Sequence, residues 1–161
     1  MGEPVMYGLM MDDYPLSLTA LIERAELLTP GRKVVYRRPD GEVHRTTVGD
    51  CARRARRLAT ALSRLGIKEG DRVGTLMWNQ PEHLETYYAV PSMGAVVHTL
   101  NPRLHPDELG FIAADAEDRA IIVDETLIPV LESFRARATR RRRRAPPTVP
   151  TYRTTRSPTK R

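Results

Sequence analysis

The sequence predicts an α/β fold, a partial parallel sheet with crossover helices, followed by a disordered basic tail. Three observations carry this reading. Short apolar runs recur between amphipathic helical patterns, which is the signature of β–α–β units. Glycine and proline turn chemistry separates the runs. The composition then changes abruptly near residue 135: residues 138–161 hold four Pro in 24 residues and no Leu, Ile, Met or Phe.

The elements follow in order. Ser17 to Leu28 places Leu18, Leu21, Ile22, Ala25 and Leu28 at helical spacing, and Pro30-Gly31 stops the helix. Lys33 to Arg37 and Glu42 to Thr46 flank Pro39-Asp40-Gly41, so two short strands join through a tight turn. Thr47 can cap the next helix, with Asp50 three residues on, and Gly66 ends it. Its predicted apolar stripe is Ala55, Leu58, Ala59, Leu62 and Leu65, and Arg53, Arg54, Arg56 and Arg57 read as a solvated face. Arg72 to Met77 is strand-like. Pro81 opens a helix carrying Leu84, Tyr87, Tyr88 and Val90, which Pro91 kinks or ends. Ala95 to Leu100 is the next strand. Pro106 starts a helix with Leu109, Ile112 and Ala113 on one side. Arg119 to Val123 is a third strand of this series, and Glu125 to Phe134 begins a further crossover helix.

This alternation implies parallel strands with right-handed crossovers. The nearly continuous apolar strands fit a sheet covered on both faces. Three parallel strands leave two edges open, and no later segment reads as a strand to close them. The unit is therefore expected to be incomplete.

Charge and composition narrow the function classes. The net charge of +6 comes from the tail: residues 135–161 contain eleven Arg or Lys and no acid, leaving 15 basic against 20 acidic residues in 1–134. The basic character thus describes the tail and not a domain surface. The tail buries too little apolar area to offset the cost of ordering its backbone. Three readings of it stand: an out-of-frame translation of a GC-rich gene, which the composition favours, a plain solvated terminus, or an arm in which Arg140 to Arg144 attract phosphate. There is no run of apolar residues long enough to span a membrane, and the first residues lack the basic start and cleavage site of a signal peptide. The single cysteine, Cys51, excludes an internal disulfide, and the expected setting is the reducing cytoplasm.

Chemistry is sought at the carboxyl ends of the strands, in Met77-Trp78-Asn79-Gln80 and Leu100-Asn101-Pro102-Arg103. Neither loop is glycine-rich, and the sequence contains no GxGxxG, no GxxxxGK[ST] and no GxSxG. His44, His83, His98 and His105 are too far apart in sequence for a helical metal pair. His98 reads as a hydrogen-bonded structural residue. Cys51, at a helix start beside arginines, has a setting that could lower its pKa, but no partner histidine is in view, so a structural role is expected. The adjacent pairs Asp12-Asp13 and Asp107-Glu108 do not support general acid–base pairing. No catalytic, cofactor-binding or metal-binding residue is assigned.

Two segments carry a family likeness. YRRPDGEVHRTTVGDCARRARRLATALSRLGIKEGDRVGTLMWN and HLETYYAVPSMGAVVHTLNPRLHPDELGFIAADAEDRAIIVD resemble, in order, the N-terminal region of acyl-CoA synthetases. These are the adenylate-forming, AMP-binding ligases, and the long- and medium-chain fatty-acyl branch is the closest in pattern. The resemblance covers roughly residues 7–134. It implies that residues 1–134 are a partial N-terminal portion of the large domain and 135–161 a separate Arg/Pro-rich tail. The family joins a carboxylic acid to coenzyme A through an acyl-adenylate, releasing AMP and pyrophosphate, so ATP, Mg2+ and CoA are implied for full-length members. Members are several times longer than this chain. Their phosphate loop, Thr-Glu motif, ribose-binding Asp and C-terminal lysine match no position here. The resemblance therefore implies a truncated and inactive ligase, which binds none of these cofactors by itself. Relatives often dimerise through this region, which implies self-association or pairing with a full-length synthetase as the partner, and not nucleic acid. The alternative is a non-catalytic binding module whose basic tail meets nucleic acid or an acidic surface.

Overall fold

A computed structural model describes residues 17–38 and 41–138. Helix α1 (Leu18–Leu28) leads into the antiparallel hairpin of β1 (Lys33–Arg37) and β2 (Val43–Thr47). Helix α2 (Val48–Arg64) follows directly. Then come β3 (Arg72–Leu76), α3 (Pro81–Ser92), β4 (Val96–Thr99), α4 (Pro106–Asp115), β5 (Ala120–Val123), a 3-10 turn at Glu125–Leu127 and α5 (Ile128–Ala138). Among the described residues, β3, β4 and β5 form one parallel sheet in the order β4-β3-β5. The predicted parallel α/β unit is thus present. The expected disorder of the tail and the pair Asp12-Asp13 lie outside the described residues, apart from Arg135–Ala138.

The sheet is covered on both faces, and the period of two in each strand decides which side chain goes where. Ile121 and Val123 of β5, with Leu76 of β3, face Leu109, Ala113, Leu131 and Phe134 of α4 and α5. Ala120 and Ile122, with Val73 of β3, face Leu62 of α2 and Val90 of α3. All four residues of β5 are buried, which explains its unbroken apolar run.

Local chemistry sets the helix ends. The Asp50 backbone N–H donates to Thr47 Oγ1 (3.1 Å), capping α2 as its sequence anticipates. At the other end Gly66 takes φ +87°, which lets the Ile67 N–H reach the Leu62 carbonyl and the Gly66 N–H reach Ser63. This turn shifts the buried face. Leu65, expected in the stripe, is exposed, while Ile67 enters the core, and Cys51 and Ala52 are buried at the start of the helix. Pro91 sits in the last turn of α3 and the helix ends one residue later. The last helix does not begin at Glu125: Asp124 accepts from the Thr126 N–H and starts a 3-10 turn, and α5 continues through Ala138 with Phe134 fully buried.

Helix α3 departs most from its sequence pattern. Of Leu84, Tyr87, Tyr88 and Val90, the apolar residues the sequence places on this helix, only Val90 is buried, and it lies with Glu82, Glu85, Thr86 and Ala89. The reason lies in α2. Arg54 donates from Nε to Glu85 (3.1 Å) and from Nη2 to Glu82 (3.2 Å), joining the two helices through carboxylates that are only 1% and 5% exposed. Arg54 is therefore an interface residue and not part of a solvated face. Arg56 binds Glu26 of α1 with two 2.7 Å hydrogen bonds but stays exposed, as do Arg53 and Arg57, so these three keep the solvated face the sequence predicts.

Removing one partner of a buried charge cluster leaves the others uncompensated. Arg54→Met is expected to lower stability by about 3 kcal/mol, the low end of the range for buried pairs because Arg54 keeps some exposure. Urea unfolding followed by Trp78 fluorescence measures it. A second close contact lies at Gly74, where an added Cβ would stand 2.8 Å from Asp118 Oδ2 and 3.1 Å from Ile121 Cγ1. Gly74→Ala is expected to cost about 1–3 kcal/mol in the same measurement, because the buried Asp118 carboxylate would have to move.

Candidate functional site

The parallel register brings the ends of β3, β4 and β5 to one edge, pairing Thr75 with Thr99 and Leu76 with Val123. This is where an open α/β sheet offers a ligand crevice. The loop after β3 is tied to the loop after β5. Gln80 Nε2 donates to Asp124 Oδ2 (2.5 Å), and Trp78 Nε1 donates to Thr126 Oγ1 (2.9 Å). Asp124 Oδ1 in turn accepts from the Thr126 backbone N–H and hydroxyl. Gln80 is the N-cap residue of α3 and makes no side-chain cap; its amide N–H donates to Asp124.

Two hollows flank this edge. One of about 490 Å³ lies among Arg37, Arg38, Trp78, Asn79, Gln80 and Thr126. A narrower apolar cleft of about 280 Å³ separates the hairpin from α3, walled by Val34, Tyr36, Pro81, Leu84 and Tyr87. This explains the displaced face of α3, because Leu84 and Tyr87 look into that cleft. The Thr126–Asp124 pair resembles a hydroxyl and its base, but Asp124 is engaged as the cap of its own 3-10 turn, so the contact is local structure.

The histidines stay apart. His44 on β2 contacts Glu42 and stacks on Tyr36. His83 places Nε2 3.0 Å from Thr75 Oγ1. Burial holds its imidazole below the ordinary value, opposed by a backbone hydrogen bond at Trp78. His98 Nδ1 lies 2.9 Å from buried Asp118, the structural hydrogen bond its strand position suggests. His105 caps α4, accepting from the Asp107 N–H at Nδ1, while its own backbone N–H donates to Glu108 (3.0 Å). Asp107 and Glu108 therefore serve a helix start. Among the described residues no three His, Cys, Asp or Glu side chains converge as metal ligands would. Neither loop at this edge, residues 77–80 or 100–103, contains a glycine, so neither offers the backbone freedom of a phosphate-cradling nest.

Sequence reasoning missed the Gln80–Asp124 and Trp78–Thr126 ties, which join residues more than forty apart and leave no local motif. The structural role expected for Cys51 agrees with its burial. Cys51 is 1% exposed, and burial, with the nearby Glu85 carboxylate adding to it, pushes the thiol up to about 11, outweighing Arg54. Cys51 is expected to resist thiol-specific reagents at pH 8 in the native state and to react fully in denaturant; rapid native labelling would contradict its burial.

Comparison with known proteins places this geometry. The profile of the family described as AMP-binding enzyme matches residues 22–157. The chain is 49% identical over 125 residues to a long-chain-fatty-acid–CoA ligase of Thermus thermophilus, covering 78% of this chain and 23% of that protein. It is 42% identical over 134 residues to a 3-methylmercaptopropionyl-CoA ligase of Ruegeria lacuscaerulensis, covering 83% of this chain and 25% of that protein. Among solved structures it is similar to the N-terminal domain of FACL13 from Mycobacterium tuberculosis, with a TM-score of 0.67, 29% identity, and coverage of 84% of this chain and 33% of that one. No described helix is long and apolar enough to cross a membrane. The chain belongs to the AMP-binding enzyme family, and it spans about a quarter of the length of the acyl-CoA ligases it matches.

Proposed function

We propose that this chain is scaffold from the large domain of an ATP-dependent acid–CoA ligase and does not carry out the reaction alone. The whole reaction joins a carboxylic acid and ATP into an acyl-adenylate with loss of pyrophosphate, then transfers the acyl group to CoA with loss of AMP. The observation that carries the reading is the ordered likeness to CoA ligases over most of the chain, against coverage of only 23–25% of their length. The carboxyl edge of the sheet supports it further. Its side chains are spent on holding loops together, Gln80 on Asp124 and Trp78 on Thr126, and neither loop can wrap a triphosphate. The two ligases differ in the acid their names give, so the acid is assigned only as a carboxylic acid that forms a CoA thioester.

In this reading the chain supplies rigid support. The α2–α3 pair and the hairpin hold the β3 loop in place, and the sheet has edge strands β4 and β5 on which further strands can build. The purified chain is expected to show no fatty-acid-dependent exchange of labelled pyrophosphate into ATP above a no-protein control. Exchange that depends on added fatty acid would overturn the proposal.

A further inference from the structure

Glu85 stands out among the buried groups because the family reaction does not call on it and its surroundings are unbalanced. The side chain lies between α2 and α3 with 1% exposure. Oε2 accepts from Arg54 Nε, but Oε1 has no hydrogen-bond partner among the described residues. A carboxylate oxygen buried without a donor is costly, and neutralising the group relieves much of that cost. The charge around it leads the same way. From α2 it meets Arg54 and Asp50 beside the Cys51 thiol, and from α3 it meets Glu82, so one guanidinium faces several carboxyl groups. Among the described residues, the other elements packed nearby place no cation against the Glu85 carboxyl. Glu23 and Glu26 of α1 act on Arg56, Glu42 and His44 of the hairpin face each other, and His98 of β4 bonds Asp118.

We propose that the α2–α3 interface is a proton-coupled clamp, in which Glu85 is held as the neutral acid and its ionisation loosens α3 from α2. The single proton binds at the Glu85 carboxyl and is released to solvent as the clamp weakens; no other bond changes. Burial, with the charge of Glu82 adding to it, pushes the Glu85 carboxyl up to about 7 from an ordinary 4.5, while Arg54 opposes the rise. The sign of the linkage follows. The folded chain holds a proton between those two values that the unfolded chain has lost, so the contribution to stability is full at low pH and disappears as pH rises through about 7. His83 works in the opposite sense: its buried neutral ring makes folding more favourable as pH rises through its ordinary 6.5. The two effects must therefore be separated by substitution. The consequence is a mechanical one for the sheet edge. Helix α3 carries Pro81 directly after Gln80, so loosening it would release the β3 loop that Gln80 ties to Asp124.

The test is urea unfolding of the full chain and of Glu85→Gln at pH 6, 7 and 8, followed by Trp78 fluorescence. The unfolding equilibrium constant of the parent relative to the variant is expected to rise about tenfold from pH 6 to pH 8. A ratio that does not change with pH overturns the proposal. Infrared spectroscopy of the parent chain with 13C-labelled glutamate gives a second reading that does not depend on the variant folding. The carbonyl stretch of a protonated, buried carboxylic acid is expected at pH 6 and should be largely lost by pH 8. Its absence at pH 6 overturns the proposal as firmly.

Discussion

Parallel strands cannot be left bare on either face, because their connections and their apolar side chains both demand cover. The rest of this structure follows from that constraint. Strand β5 buries every residue, with Ile121 and Val123 against α4 and α5 and Ala120 and Ile122 turned toward the α2–α3 side. Each helix must then lie flat on one face, and each crossover must return to the same end of the sheet. The loops after β3, β4 and β5 gather at one edge as a consequence, whether or not they carry chemistry.

The cover on one face is held by charge as well as by apolar contact. Arg54 reaches from α2 to both Glu82 and Glu85 of α3, and these hydrogen bonds hold the two helices together. The arrangement secures a specific pairing of α2 with α3 at the cost of an unbalanced interface. That imbalance is local: it reaches Cys51, whose thiol is pushed up by burial and by Glu85, and it leaves the opposite core of Leu109, Leu131 and Phe134 untouched. Both faces of the sheet are thus covered by apolar cores, and on one of them the covering helices are also joined to each other through Arg54.

At the carboxyl edge the structure uses polar groups to fix positions. Gln80, at the start of α3, donates to Asp124, and Trp78 reaches Thr126 across the same gap. These ties orient the β3 loop between the hairpin and β5.

The sequence by itself determined the element types and the fold family. Periodicity placed the five helices among the described residues to within a few residues, Thr47 and Gly66 marked the ends of α2, and the ordered segments from Tyr36 to Asp124 pointed to the AMP-binding ligases. These are local properties, set by spacing, caps and turn residues along a continuous stretch. Only the tertiary structure decided which side of α3 is buried and that Arg54 is an interface cation. Periodicity counts apolar positions, and it cannot register that a carboxylate is made buriable by an arginine about thirty residues away in the chain. The same distance hid the Gln80–Asp124 tie, because a hydrogen bond between two loops leaves no pattern in either of them.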